Sequence, residues 1–236
     1  MTDGGRAIFD RFLVPFELPD ADLVAPALAE WLSDSHVAVL GYYAVPPQTP
    51  PELLRRQAEP DAEKELARLR EPFERRGASV ETRLVFGRER AEMIDNIARE
   101  AACGVELVPA PVEAIDRILV PLRSTDPVHL SAGILAHAEG RVTLFHVAED
   151  DASRAIVETK LEQARGRLSN AYETTVTTAA GTGRHREAIV ETAELYDLVV
   201  MGETDAGLTE RIFGPLPVRI VEDAKTPVFV VRSDRG

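Results

Sequence analysis

Phe9-Asp-Arg-Phe-Leu-Val-Pro-Phe16 and Ile115-Asp-Arg-Ile-Leu-Val-Pro-Leu122 are one motif written twice. Each is a short apolar run behind an Asp-Arg pair and ahead of a proline. That is the pattern of a strand buried on both faces that then leaves its sheet. The parallel continues downstream of both copies. A helical stretch follows, then a second apolar run (Val37 to Val45; Val142 to Val147), a charged helix, a third strand and another helix. Strands alternating with helices predict an α/β fold of open, mainly parallel sheets with helices on both faces, in two tandem units covering residues 1–112 and 113–236.

Within the first unit, Leu23, Val24, Ala27, Leu28, Trp31 and Leu32 recur at helical spacing and are expected to face the sheet, with Trp31 in the core. Tyr43 to Pro51 carries four prolines and reads as a loop. The next helix is expected from about Asp61 to Arg76, with Leu66, Leu69 and Phe73 inward and Pro72 kinking or shortening it. Val80 to Phe86 forms strand three, a helix starts at Arg90, and Val105 to Val108 forms strand four. There the units diverge. Pro109 and Pro111 lead straight into the second unit. That unit continues past its own fourth strand (Leu198 to Met201) through a glycine-containing loop, a helix and a fifth strand, Val228 to Val231. The first unit lacks one helix and one strand.

Composition sets outer bounds. The chain has 236 residues, is 44% hydrophobic and 28% charged, and so has ample material for a packed core. Forty acidic against 27 basic residues give a net charge of -13, which repels a phosphate backbone, so nucleic acid is not an expected partner. Only Lys64, Lys160 and Lys225 are lysines, and this arginine bias with acid excess suggests a halophilic or GC-rich source. The single Cys103 excludes an internal disulfide and reads as a small buried residue. The sequence shows neither a membrane-length apolar run nor a signal peptide, and the expected location is the cytoplasm without membrane insertion.

Ligands of open parallel sheets bind beyond the carboxyl ends of the strands, where strand order reverses. After strand four of the second unit stands Met201-Gly-Glu-Thr-Asp-Ala-Gly-Leu-Thr-Glu-Arg-Ile-Phe-Gly-Pro215. This loop, its flanks Leu198-Val-Val-Met-Gly202 and Thr226-Pro-Val-Phe-Val-Val231, and the opening strand Ile118-Leu-Val-Pro121 resemble the universal stress protein family, whose loop has the form G-x-x-G-x9-G-[S/T]. The resemblance covers about Ile115 to Arg232 and, more loosely, the first unit. It implies an adenine-nucleotide alpha-hydrolase-like fold. In nucleotide-binding members the loop amides cradle phosphates, and an acid after strand one holds the nucleoside.

The candidate site residues are therefore Gly202, Asp205, Gly207, Gly214 and Leu122, in a degenerate form of that site. Gly202 matches the first glycine, and Gly214 falls one residue short of the last. Asp205 replaces the second glycine, Pro215 stands where Ser or Thr would donate, and Leu122-Arg123 replace the acid. A carboxylate about 4 Å from a phosphate, at an effective dielectric near 20, costs on the order of 4 kcal/mol. Tight ATP binding is not expected, although Gly207 and Arg211 leave room for weaker binding of ATP or AMP. The first unit keeps an acid, Glu17, but has no glycine loop.

Other signals are weaker. Gly181-Thr-Gly183 lacks the third glycine of a dinucleotide fingerprint, and the five histidines (His36, His129, His137, His146, His185) show no metal-ligand spacing. Nucleophile-elbow, Walker and zincin motifs are missing, which gives catalysis no starting residue. In the family the last strand commonly lies at a sheet edge and pairs in a dimer, so Thr226 to Val231 is expected to form a homodimer. Three readings follow. The first is a universal-stress-type regulatory or binding protein without tight ATP binding, acting through a protein partner or another small ligand. The second is a nucleotide-binding protein with weak ATPase activity using Gly202 and Arg211, and the third is a transporter-associated regulatory domain.

Overall fold

The computed structural model describes residues 10–122, 140–171, 174–202 and 215–232. Unit one contributes β1 (Arg11–Glu17), α1 (Pro26–Trp31), β2 (His36–Ala44), α2 (Pro51–Glu74), β3 (Ser79–Gly87), α3 (Arg90–Glu100) and β4 (Val105–Val108). Unit two contributes β5 (Arg117–Pro121), β6 (Arg141–Ala148), α4 (Asp151–Ala171), β7 (Val176–Thr182), α5 (His185–Ala193), β8 (Leu198–Gly202), α6 (Pro215–Arg219) with a π-helical continuation (Ile220–Ala224), and β9 (Val228–Val231).

These strands form one nine-stranded sheet in the order β3-β2-β1-β4-β9-β8-β5-β6-β7. Neighbours are parallel except β4 and β9, which run antiparallel. Each half has the same internal order, and the antiparallel seam turns one half over end to end against the other. The expected α/β class holds. The expectation of separate sheets is corrected, because β9 bridges the two units.

The same pairing corrects the expectation for the last strand. β9 lies at no edge: β8 pairs with it on one side (Val199↔Val228, Gly202↔Val231) and β4 on the other (Val105↔Val231, Val108↔Val228). The fifth strand that unit one lacks would occupy this position. The edge of unit one's fourth strand therefore pairs with the edge of β9 that was expected to pair across a dimer axis.

The Asp-Arg pair of the repeat has matching duties in both units. The carbonyl oxygens of Asp10 and Asp116 accept hydrogen bonds from His36 N and Arg141 N, both at 2.8 Å, which starts the β1–β2 and β5–β6 ladders. Gly140 lets this second approach occur, since a Cβ there would sit 2.4 Å from the Asp116 carbonyl oxygen. Pro15 does not end its strand; β1 continues to Glu17. Leu18 N donates to Tyr42 O, so alternate residues back along β1 face β2 and Pro15 faces β4, where the ladder stops at Leu13↔Glu106. Its missing N–H falls where no partner waits.

Helices cover both faces. On one, Leu28 of α1, Leu66, Leu69 and Phe73 of α2, and Leu161 and Leu168 of α4 pack with Phe12, Val14, Val120 and Phe229. On the other, Ile94 and Ile97 of α3 meet Leu13 and Leu40, while Ile189 of α5 and Ile220 meet Leu119, Val199 and Val228. Helix α2 starts at Pro51 rather than Asp61 and contains both Pro60 and Pro72. The apolar stripe after β1 also begins later than expected, for Leu23 is 47% exposed and lies before α1, whereas Leu28 and Leu32 are buried. Trp31 is half-buried against the core, 5.0 Å from the Phe229 ring.

Candidate functional site

Strand order reverses twice in this sheet, between β1 and β4 and between β5 and β8. Such reversals, at the carboxyl ends of the strands, are where open parallel sheets form their crevices. Because the units run antiparallel, the two reversals point to opposite ends of the sheet.

The unit-one crevice is a cleft of about 1200 Å³. Its walls are the chain after β1 (Ala21 to Pro26), the chain after β4 (Val108 to Glu113), and Val218, Val221 and Glu222 from the last helix. Glu17 ends β1 and stands opposite Tyr42 in the β1–β2 register. The Tyr42 hydroxyl donates to Glu17 Oε2 at 3.1 Å, and the Arg90 guanidinium lies 5.2 Å over the Tyr42 ring. Burial raises the Tyr42 pKa most, and the charge and hydrogen bond of Glu17 raise it further against the opposing pull of Arg90. Tyr42 is thus a neutral donor that orients Glu17, and it has no use as a base.

Charge in the cleft is mixed. Arg76 pairs with Glu30 at 3.1 Å and Arg75 with Glu71 at 3.8 Å, so two of the lining cations already have acidic partners. Glu17, Asp22, Glu113 and Glu222 add negative charge. At the exit of β4, where the sequence resemblance implies an amide cradle in nucleotide-binding members, stand Pro109 and Pro111. Proline has no N–H, so this turn offers a phosphate few donors.

In unit two the structure places two of the five candidate residues. Gly202 ends β8, and among the described residues a Cβ there would meet nothing within 4 Å. Leu122 follows β5 with its side chain in the core, 3% exposed. Its N–H donates to Phe145 O at 2.7 Å, and its carbonyl accepts a hydrogen bond from His146 Nδ1. Asp205, Gly207 and Gly214, with Arg123 and Arg211, lie outside the described residues.

Two groupings were not read from the sequence. Tyr42 and Arg90 join Glu17, and His146 meets His185 with ring centroids 6.5 Å apart. Each residue lies at the carboxyl end of a strand or the start of the following helix, and aligning those ends by the repeat would have brought them out. Gly181 and Gly183 have structural duties instead of a dinucleotide: a Cβ on Gly181 would meet the Phe145 ring at 2.7 Å, and Gly183 turns into α5 with φ +110°. Among the described residues no group of three His, Cys, Asp or Glu side chains is placed to hold a metal ion. His129 and His137 lie outside them. Cys103 is 5% exposed, and burial pushes its thiol up to about 12, which removes it as a nucleophile. No described helix is long and apolar enough to cross a membrane.

Comparison with known proteins adds to this geometry. The sequence model of the universal stress protein family matches residues 114–232, just over half the chain. Among curated proteins none matches the chain in sequence. A universal stress protein from Archaeoglobus fulgidus DSM 4304 is similar in structure, with 15% identity and a TM-score of 0.67, covering 96% of this chain and 98% of that one. A chain assigned to the universal stress proteins from Pseudomonas aeruginosa UCBPP-PA14 is similar at 16% identity and a TM-score of 0.58, covering 98% and 95%. The cytoplasmic domain of a prokaryotic cation chloride cotransporter is similar at 13% identity and a TM-score of 0.50, covering 93% and 94%.

Proposed function

Because the chain belongs to the universal stress protein family, we propose that it is a regulatory or binding protein of that type which does not hold ATP tightly. The observation that carries this reading is the exit of β4. There Pro109-Ala110-Pro111 stands in place of a glycine loop, with Ala110 buried, and an acid-rich cleft surrounds it. The described residues of unit one do not fit a triphosphate. In unit two the departures are those of the sequence, Asp205 and Pro215 in the loop and Leu122 after β5, and the inward-turned Leu122 side chain offers nothing to a ribose. Signalling then proceeds through a protein partner or through a ligand without a polyphosphate.

Calorimetric titration with ATP, ADP and AMP, with and without Mg²⁺, tests the proposal, and the expected result is no saturable heat at micromolar protein. Gly202→Ala is the matching control, because its added methyl group meets none of the described residues, and an unchanged far-ultraviolet circular dichroism spectrum verifies its fold. Micromolar binding that this variant weakens tenfold or more would favour the weak-ATPase reading and make turnover worth measuring. A transporter-associated regulatory role is the second reading. It is supported by the likeness over nearly the whole length to the cotransporter's cytoplasmic domain, which at 13% identity is a likeness of fold.

A further inference from the structure

Every residue of β4 is buried, yet the strand reads Val105-Glu106-Leu107-Val108, and Glu106 is 0% exposed. A carboxylate taken out of water costs several kcal/mol unless a cation meets it. Arg232, the residue after β9, supplies one. Its Nη1 donates to Glu106 Oε1 and its Nη2 to Asp95 Oδ1 of α3, both at 2.6 Å. The other Asp95 oxygen accepts from Arg99 Nε at 3.2 Å, and the Arg232 backbone N–H donates to Gly104 O at 2.9 Å. The cluster ties β4 and α3 of unit one to the end of the last strand of unit two.

Ladder hydrogen bonds are blind to sequence, so β4 alone would accept many strands and the apolar β9 would suit many edges. Glu106 removes that freedom. It stands opposite Val230, which makes Arg232 its diagonal neighbour on the same face. A slip of one residue would turn Arg232 to the opposite face, and a strand without a cation at this position would bury the charge uncompensated. Pairing of β9 with β9 of a second copy would in turn part Arg232 from both acids.

We infer that Glu106, Asp95 and Arg232 form a charge lock that commits β9 to β4 of its own chain, in one register, and rejects other strands at this seam, β9 of a second copy included. Two full-length variants test this. In Arg232→Met, amide exchange at 105–108 and 228–231 should quicken by about a hundredfold or more, while the β5–β6 ladder changes by less than about tenfold. In the triple variant Asp95→Asn/Glu106→Leu/Arg232→Met, the apolar seam should fold but lose its selectivity. Refolded from denaturant at rising protein concentration, it should give a growing fraction of species at twice the wild-type mass by light scattering, where wild type regains its original mass.

Uniform acceleration of exchange in every ladder would overturn the lock. So would a triple variant that refolds as wild type does at all concentrations, or one that fails to fold, since the cluster would then carry general stability and not choice of strand. If Arg232→Met itself does not fold, the refolded mass of the triple variant decides.

Discussion

Asp197 shows how much one side chain at the start of a strand can hold. Its Oδ2 accepts from the backbone N–H of Asp116 at 3.1 Å and of Arg117 at 2.8 Å, and its Oδ1 accepts from Arg117 Nη2 at 3.0 Å. Burial works against its charge, but the Arg117 hydrogen bonds and the two backbone donors outweigh it and hold the carboxyl below its usual range. A depressed folded-state pKa gives stability that is present above the unfolded value, about 3.9, and is lost as pH falls through the folded value. Asp197→Ala is therefore expected to cost about 1–3 kcal/mol at pH 7, with the deficit shrinking as urea unfolding is repeated toward pH 3. The Arg of the repeated Asp-Arg pair was visible in the sequence. Its partner, 80 positions away, was not, because only the β5–β8 pairing brings the two together.

Among the elements, α2 departs furthest from its expectation. Four prolines between Tyr43 and Pro51 read as a loop, yet Pro51 is the first helical residue, a position where the missing N–H costs nothing and the fixed φ suits the helix. Pro60 differs, since it is inside the helix and removes a backbone bond to Arg56. It is also exposed, so Pro60→Ala opens no cavity and is expected to raise stability by about 1–3 kcal/mol, seen as a higher urea midpoint with unchanged slope. Pro72 is buried with Leu69 and Phe73, and the same exchange there would give back part of the gain through lost packing. The strands were more legible: Val105–Val108 and Val228–Val231 have the bounds indicated for them, because strands buried on both faces are dominated by apolar residues, with Glu106 the one exception in β4.

At the scale of the molecule, the seam joins the two units in one sheet, and they are expected to unfold together. The single tryptophan reports on it directly, for Trp31 of unit one packs 5.0 Å from Phe229 of unit two and 6.3 Å from Phe12. Unfolding followed by Trp31 fluorescence and by far-ultraviolet circular dichroism should give coincident midpoints, and separated transitions would mean that the halves melt independently. The repeat, the strand–helix alternation, the loss of one helix and strand from unit one, and the departures of the loop at Asp205 and Pro215 could all be read from the chain by itself. Each is a matter of local pattern, in which apolar period, proline and glycine act on their own neighbourhood. Which edge β9 would occupy was not legible, since a run such as Val-Phe-Val-Val bonds equally well to any edge through its backbone. The tertiary structure decided that question by placing Glu106 and Asp95 where Arg232 could neutralise them. It likewise gathered Glu17 and Tyr42 from two strand ends and Arg90 from the start of α3 into one cleft, because strand order determines which carboxyl ends lie side by side.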